Sequence, residues 1–527
     1  MERHQVVVVG GGPVGLALAV DLGRRGIDCA VVERRRHPSH IPKGQNLTQR
    51  SLEHFYFWGC VDELRAARLL PRGYPIGSLT AYGSLMSLYW YAPPGREVVQ
   101  PYYFQENERL PQYLTETVLR NRLRELDAVT GLFGWTAVAL EQDDREVCVT
   151  LLRDDDRTRH RVLTADYLVG CDGARSWVRE RAGIACHGRD LLRRMVLAVF
   201  RSRQLHEALR RFPERTTYRV LRPELEGYWQ FFGRVDVGEG WFFHAPVPDD
   251  VPATDLDLHG LLERAAGTSF ACAFEHVGFW ELRIAVADRY RRDRILVAGD
   301  ACHSHPPYGG FGLNTGLEDA ANLSWKLAAV LQGWGGEALL DSYQAERRPI
   351  ALETTAEIAA EIERDRAFLE RYRPDRDRDE FERAWTALAA RSRERVESYE
   401  PHYEGSPVVA GIGGSGPAVH GHHSPSARPG HHLTPQPLSS GRNVYEELGS
   451  GFTLLAFGVE ERAVRPFQAA AEALHVPLRV LRDSYRAGRR SYGSRLILVR
   501  PDQHVAWVGD RPPPDAGAVI RKVVGLG

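Results

Sequence analysis

The sequence predicts an α/β fold made of a Rossmann-like domain with an inserted antiparallel-sheet domain and a smaller α/β domain at the C-terminus. Three observations predict it. A glycine-rich βαβ pattern fills the first 33 residues, and two further strand-to-loop junctions follow near residues 170 and 299. An aromatic-rich stretch with alternating character separates those two junctions.

Length and composition bound the kind of protein. The 527 residues predict two to four domains, and the net charge of −1 gives no field that would attract nucleic acid or an anionic membrane. No run of 18 apolar residues predicts a transmembrane helix, and the first strand leaves no room for a signal peptide. The cysteines form no CxxC pair, which is typical of a reduced, cytoplasmic chain without a disulfide framework or a zinc site. They are Cys29, Cys60, Cys148, Cys171, Cys186, Cys272 and Cys302.

The glycine-rich βαβ pattern at the start of the chain is typical of a dinucleotide-binding site. Residues 5–9 form a short apolar run, residues 14–22 carry helical spacing, and residues 29–32 form a second apolar run. Between them, Gly10 allows a tight turn, Gly12 lets a pyrophosphate approach the backbone, and Gly15 lets helix and strand pack closely. Glu33 follows at the distance where a carboxylate accepts the hydroxyls of an adenosine ribose, which favours FAD or NAD over NADP.

The other two junctions place polar groups at strand ends. Residues 167–170 predict a strand that is followed by the turn at Asp172 and Gly173. Residues 294–298 predict another, after which Gly299 and Asp300 enter a loop with prolines at 306 and 307 and glycines at 309, 310 and 312. A helix is predicted to start near Leu313. The carboxyl ends of parallel strands meet in one crevice, so we expect these loops to share a ligand.

These three motifs, in this order over about residues 1–400, resemble those of the class A flavoprotein monooxygenases. These are the single-component aromatic hydroxylases of the para-hydroxybenzoate hydroxylase and phenol hydroxylase type. The resemblance implies non-covalent FAD, with Asp300 bonded to the ribityl chain and the N–H groups of Leu313 and Asn314 facing the N1–C2=O edge of the flavin. A helix N-terminus at that edge would stabilise the negative charge of reduced flavin.

The resemblance also assigns roles to residues outside these motifs. Lys43 falls where the family usually has an arginine near the FAD phosphates, Gln112 matches a glutamine that contacts the flavin chain, and Phe311 replaces a residue that is often polar. The complete set expected to bind the cofactor is Gly10, Gly12, Pro13, Val14, Gly15, Glu33, Arg34, Lys43, Gln112, Asp172, Gly299, Asp300, Gly310, Gly312, Leu313 and Asn314.

The middle of the chain supplies the candidates for substrate contact. In the resembling family, a sheet built from such a stretch covers the flavin and holds the substrate. The candidates are Tyr218, Trp229, Phe231, Trp241, Phe242 and His244. Alternation with period two allows only part of this set to face a pocket, and a core position is the competing interpretation for each residue. Pro307 is expected beside the reacting face of the flavin, and His305 and His244 are candidates for a base that deprotonates a phenol.

The C-terminal part of the sequence offers few candidates for catalytic or ligand-binding residues. Residues 341–400 predict a solvated amphipathic helix, and the Gly/His/Pro/Ser composition of residues 411–432 predicts a solvated linker rather than a metal site. The last 92 residues (436–527) resemble the thioredoxin-like domain of phenol-hydroxylase-type members, and without a cysteine they carry no thiol chemistry. A structural or dimer-contact role follows, so a homodimer is left open.

The expected domain boundaries follow from these patterns. The FAD-binding domain takes residues 1–75, 105–185 and 285–400, and the middle domain takes residues 76–104 and 186–284. The linker covers residues 401–435, and the C-terminal domain covers residues 436–527.

The resemblance implies an FAD-dependent monooxygenase that uses NADPH or NADH as a transient reductant and O2. It would hydroxylate an electron-rich phenolic or polyketide-like aromatic through a flavin C4a-hydroperoxide, without a metal. Two alternatives stay open. One is Baeyer–Villiger oxygenation or epoxidation on the same fold. The other is a flavin-binding protein that sequesters a reactive intermediate for a partner enzyme.

Overall fold

The computed structural model describes residues 2–249, 251–252, 254–411 and 414–527. Within them the helices are α1 (Pro13–Arg24), α2 (Gln49–Trp58), α3 (Val61–Ala66), α4 (Gln112–Arg124), α5 (Trp177–Arg181), α6 (Arg203–Ala208), α7 (Leu258–Ala266), α8 (Phe311–Leu331), α9 (Glu337–Arg371), α10 (Arg378–Ser398), α11 (Glu461–Ala473) and α12 (Ala516–Val523). None of these helices combines the length and the apolar character that crossing a membrane requires.

The strands of the same residues are β1 (Glu2–Val9), β2 (Cys29–Glu33), β3 (Asn46–Leu47), β4 (Ser78–Tyr82), β5 (Trp90–Tyr91), β6 (Glu108–Arg109), β7 (Val129–Phe133), β8 (Trp135–Gln142), β9 (Val147–Arg153), β10 (His160–Gly170), β11 (Cys186–Arg201), β12 (Thr217–Leu221), β13 (Gln230–Arg234), β14 (Gly240–Pro246), β15 (Ala273–Ala287), β16 (Arg291–Arg292), β17 (Ile295–Val297), β18 (His303–Ser304), β19 (Tyr399–His402), β20 (Ala418–His420), β21 (Phe452–Phe457), β22 (Leu478–Asp483), β23 (Leu496–Val499) and β24 (Val505–Gly509).

A largely parallel sheet brings the three sequence motifs to one edge. Its order is β16-β17-β10-β1-β2-β7, and β1, β2, β10 and β17 pair in parallel. The apolar runs of these strands are buried in one core, to which α1 and α8, packed against each other, also contribute. Because the strands are parallel, the loops after β1, β10 and β17 all leave the sheet at the same end. The predicted Rossmann-like domain is confirmed.

A second, mainly antiparallel sheet covers this edge. Its order is β18-β15-β11-β14-β13-β12-β4-β5, so β4 joins it from a much earlier part of the chain. One face packs on its own hydrophobic core with α7, and the other faces α9 and α10 across an aromatic-rich cluster. The sheet therefore forms a roof over the end of the Rossmann-like domain where the motif loops lie.

The C-terminal domain is the predicted α/β unit. Its sheet has the order β22-β21-β23-β24, with β21 and β22 parallel and the remaining pairs antiparallel. Its core continues into the end of α8, where Trp325 packs against Phe452. Arg500 of this domain donates two hydrogen bonds to Glu346 of α9, at 2.6 and 2.9 Å.

Two sequence expectations about the region between these domains are wrong. Residues 337–398 form two helices rather than one, and α9 is not simply solvated, since 14 of its residues are buried. The stretch read as a solvated linker is also packed: His431 is 2% exposed and lies between the carboxylates of Glu400 and Glu404. Composition could not reveal those partners; residues 412 and 413 lie outside the described residues.

Candidate active site

A cavity of about 1520 Å³ runs from the carboxyl edge of the parallel sheet to the underside of the roof sheet. A pocket for one small molecule typically measures about 300–1,000 Å³, so this cavity has room for a dinucleotide and a second ligand. All of the predicted site residues line it except Gly15, Gly299, Tyr218 and Trp241.

The nucleotide end of the cavity lies at the start of α1. Gly10 has φ +111°, and a methyl group there would lie 2.3 Å from the carbonyl oxygen of Cys171. A methyl group on Gly15 would lie 1.9 Å from the carbonyl oxygen of Gly10, whereas one on Gly12 would meet no protein atom within 4 Å. The helix begins at Pro13 without a side-chain cap, so its first N–H groups are left for an anion.

Acidic side chains lie around this end. Glu33 accepts hydrogen bonds from the N–H groups of Gly11 and Arg35, both at 2.8 Å, which fixes its carboxylate at the edge of the cavity. Asp172 accepts from the Val178 N–H at 3.0 Å and from the Ser176 hydroxyl, and burial raises its pKa. Both groups are positioned by short loops that follow parallel strands.

A second helix start lies deeper in the same cavity. Gly309 and Gly310 have φ of +79° and +71°, and α8 begins at Phe311 with no side-chain cap. L-residues rarely adopt this backbone, so these glycines set the direction of the loop. Asp300 is exposed to the cavity opposite Gly312, and desolvation by the surrounding cavity walls raises its pKa, with His303 and Lys43 opposing the shift.

Asn314 holds the loop and the neighbouring chain together. Its side-chain oxygen accepts from the Thr48 N–H at 2.9 Å and the Ser51 hydroxyl at 2.6 Å. Its amide donates to the carbonyl oxygens of Asn46 and Gly310, at 2.9 and 2.7 Å. The side chain is thereby engaged with protein, so a contact of Asn314 with a ligand at the start of α8 would have to come from its backbone.

These features fit FAD. Two uncapped helix starts open onto one cavity, one for a pyrophosphate and one for an electron-rich ring edge, with an acid at the ribose position. The cavity-lining residues that would hold it are Gly10, Gly12, Pro13, Val14, Glu33, Arg34, Lys43, Gln112, Asp172, Asp300, Gly310, Gly312, Leu313 and Asn314. Gly15 and Gly299 do not line the cavity but allow close packing beside it. Gly15 lets α1 approach the backbone of Gly10, and Gly299 leaves room for the side chain of Val14.

The roof sheet turns one aromatic face to the cavity. Phe231 pairs with His244 across β13 and β14, and Phe242 lies on the same face two residues before His244. Trp229 lines the cavity as well, and it stacks on Tyr308 of the glycine-rich loop with ring centroids 4.5 Å apart. Tyr308 also accepts the Trp229 N–H at 3.0 Å, which ties the loop to the roof.

Two of the candidate aromatics are placed wrongly by the sequence. Tyr218 and Trp241 are buried in the core on the opposite face of the roof sheet. Tyr218 pairs with Phe232, whose neighbour Phe243 also points away from the cavity. Alternation limits the set to one face but does not say which residues belong to it.

Two histidines of the cavity, His244 and His305, are held in surroundings that disfavour their charged form. Burial lowers the pKa of His244 and of His305 to about 3. Neither His305 ring nitrogen has a hydrogen-bond partner among the described residues, and the same holds for Nδ1 of His244. Neutral imidazoles can accept or donate a hydrogen bond to a ligand hydroxyl, but a pKa this low does not suit a strong base in the ligand-free state.

Sequence reasoning missed part of the wall. Arg109, Asn46 and Tyr308 line or support the ring end, and Tyr403 and His504 bring the C-terminal half of the chain into the cavity. Tyr308 lies inside the glycine-rich loop, but its contact with Trp229 could not be read from the motif. The other four lie outside the motifs and reach the site through contacts between residues far apart in sequence.

Comparison with known proteins identifies the family. A family model described as FAD binding domain matches residues 3–357, and one described as Aromatic-ring hydroxylase, C-terminal, matches residues 426–525. A 4-methyl-5-nitrocatechol 5-monooxygenase from Burkholderia sp is 31% identical over 95% of this chain and 93% of its own length.

Solved structures agree over the whole chain. The flavin-dependent monooxygenase PieE with FAD and substrate superposes with a TM-score of 0.86 at 25% identity, covering 100% of this chain and 99% of its own. Aklavinone-11 hydroxylase with FAD and aklavinone gives 0.84 at 27% identity with the same coverage. The chain therefore belongs to the FAD-dependent aromatic-ring hydroxylases and is a flavoprotein monooxygenase that uses FAD.

Proposed function

We propose that this monooxygenase hydroxylates an extended phenolic aromatic of polyketide type, held between the roof sheet and the glycine-rich loop. The observation that carries this proposal is the position of Trp229, Phe231 and Phe242 in the same cavity as the start of α8. Aromatic side chains present large, rigid faces on which a flat ring system packs. The volume of about 1520 Å³ supports a ligand larger than a single ring beside the flavin.

FAD, when bound, supplies the electron transfer and the oxygen activation; the chain supplies binding, orientation and protection from water. Pro307 would pack beside the ring, and the N–H groups of Leu313 and Asn314 would hold its electron-rich edge. The Tyr308–Trp229 contact supports a closed wall between loop and roof. His244 and His305 would accept or donate a hydrogen bond to the substrate hydroxyl rather than hold a charge.

The test is anaerobic stopped-flow reduction of the bound flavin by NADH and by NADPH, with single-ring phenols and polycyclic phenols compared. Faster reduction in the presence of polycyclic phenols, followed by a hydroxylated product on admission of O2, supports the proposal. Reduction and product formation with single-ring phenols alone would contradict the extended substrate. The preferred nicotinamide is read from the same traces.

Two further expectations from the sequence, about assembly and location, stay predictions. A homodimer and a cytoplasmic location rest on the sequence, and sedimentation velocity of the FAD-loaded protein would test the first.

A further inference from the structure

Arg109 is a buried cation on the cavity wall. It lies on β6 and is 3% exposed. Its guanidinium donates to the Asn46 side-chain oxygen and, at 3.3 Å, to the Arg234 carbonyl oxygen. Nε has no partner among the described residues. A guanidinium carries five N–H groups, and only two of them have an acceptor among the residues that the structure describes.

No carboxylate of the described residues forms an ion pair with this charge. Burial lowers the pKa of Arg109 to about 9, and Tyr74 gives the opposing contribution. Three other arginines of the same cavity do form such pairs: Arg50 with Glu318, Arg219 with Asp365, and Arg347 with Asp319. A buried charge without a counter-charge costs stability, and a site that keeps one is typically matched to a charged ligand.

The position of Arg109 indicates which end of the cavity its ligand would occupy. Its partner Asn46 lies against the glycine-rich loop, since a methyl group on Gly310 would lie 3.5 Å from the Asn46 Cβ. The guanidinium carbon is 5.9 Å from the centre of the Phe242 ring. Arg109 therefore stands between the ring end of the flavin site and the aromatic face of the roof, away from the pyrophosphate end at Gly12.

We propose that Arg109 binds an anionic oxygen of the aromatic substrate, so that the preferred substrate carries an ionised carboxyl or similarly acidic group. This inference rests on the proposed function and narrows it to acidic aromatics. A charge-assisted hydrogen bond in an enclosed site would favour the ionised ligand over a neutral analogue by about tenfold or more.

The binding test uses 3-hydroxy-2-naphthoate and its methyl ester, which differ in one charge. Their dissociation constants are measured with the FAD-loaded protein by perturbation of the flavin spectrum. Wild type should bind the acid about tenfold more tightly or better, Arg109→Met should lose this preference, and Arg109→Lys should keep part of it. Arg124→Met, on the exposed face of α4, should behave as wild type.

A second readout separates binding from structure. Because the charge is uncompensated, Arg109→Met should melt at the same temperature as the substrate-free wild type or higher. Arg234→Met should melt lower, since all three nitrogens of that buried arginine have partners and it does not line the cavity.

Equal binding of acid and ester by wild type, or an unchanged preference in Arg109→Met, would overturn the inference. The inference would also be overturned if Arg109→Met raised the KM for NAD(P)H and left the affinity for the aromatic unchanged. Arg109 would then bind a phosphate group of the reductant. If neither probe binds and no phenol affects flavin reduction, the proposed function itself fails. The melting temperatures are then used to judge the role of Arg109. A lower melting temperature for Arg109→Met than for wild type would show that Arg109 stabilises the fold, and this would also overturn the inference.

Discussion

Single residues decide where the cofactor lies, and glycines do so by leaving space. Gly12 and Gly15 belong to the same motif but face different neighbours: Gly12 faces the open cavity, and Gly15 faces the backbone of Gly10. Substitutions at the two positions should therefore separate cofactor binding from folding.

Gly12→Val should bind FAD at least about tenfold more weakly while the FAD-free protein loses no more than about 1 kcal/mol, because the new side chain meets only the cofactor. Gly15→Val should instead destabilise the FAD-free protein by about 3 kcal/mol or more, because its side chain meets backbone. Fluorescence titration with FAD and urea unfolding of the FAD-free proteins measure both effects. Equal FAD affinity of Gly12→Val and wild type would contradict the placement of the pyrophosphate.

The buried histidines should make stability sensitive to acid. His244 has a folded pKa of about 3, below its unfolded value of about 6.5, so the unfolded state binds more protons as pH falls below about 6.5. Stability is then highest above that pH and declines until about pH 3. His244→Gln should remove about 2 kcal/mol of the stability lost between pH 7.5 and pH 5. Urea unfolding at both pH values tests this, with the exposed His160→Gln as control; an unchanged pH dependence in His244→Gln would contradict a buried neutral imidazole.

At this scale the sequence indicates which residues lie at the cavity wherever the reason is local, and their role in binding FAD stays a prediction. Gly10, Gly12, Gly15 and Glu33 follow one another at spacings that one βαβ unit dictates. Arg109 has no such signal, because its burial results from β6 pairing with β3 and from the roof sheet above it.

Among the elements, the glycine-rich loop and the roof sheet together enclose the end of the cavity at which we propose that the reaction takes place. Tyr308 joins them through its hydrogen bond and its stacking with Trp229. A loosened joint would admit water to the flavin and waste reducing equivalents as peroxide.

Tyr308→Phe should release more hydrogen peroxide per NAD(P)H consumed than wild type, with a stability loss of about 1 kcal/mol from the missing hydrogen bond. Tyr343→Phe is the matched control, because Tyr343 is also buried and loses a hydrogen bond of 2.9 Å, but that bond goes to Val297 on β17 and does not join the loop to the roof sheet. Equal peroxide yields from the two variants would show that the loop–roof contact has no part in excluding water.

The alternating pattern of the sequence predicted that the roof sheet exists, but not which of its two faces is turned to the cavity. Phe231, Phe242 and His244 lie on the cavity side because of the register between β13 and β14, and Tyr218 lies on the other side for the same reason. A period of two fixes alternation, while the phase depends on which face finds a partner in three dimensions.

At the scale of the whole molecule, the C-terminal domain is anchored by buried charge. Arg500 binds Glu346 and Asp502, and Lys326 donates to Glu346 at 2.7 Å. Burial is the largest influence on the Glu346 pKa, yet the cations prevail and hold it well below its usual value. The anchor also holds the loop that brings His504 to the cavity.

Arg500→Met should lower the free energy of unfolding by about 3 kcal/mol or more, because two carboxylates lose a buried partner. Arg521→Met removes an exposed pair with Asp515 and should cost no more than about 1 kcal/mol. Urea unfolding of both FAD-loaded variants gives the comparison. Equal losses would mean that the buried network does not hold the domains together.

The sequence predicted three kinds of domain correctly but misread the segment between them. Residues 401–435 have the composition of a linker, yet His431 and His432 bind Glu400, Glu404 and Glu53. Glu404 lies within this segment and Glu400 directly before it, whereas Glu53 comes from α2, so composition alone could not show how the segment folds back on itself and packs against the rest of the chain.

The most direct test of the central claim is turnover with isotopically labelled dioxygen. The FAD-loaded protein is given NAD(P)H and a polycyclic phenol, and product mass and reductant consumption are followed together. The account predicts that one labelled oxygen atom enters the aromatic product for each NAD(P)H oxidised. If reductant is consumed with every phenol of the panel and only hydrogen peroxide forms, the chain does not hydroxylate this class of substrate and the account is contradicted.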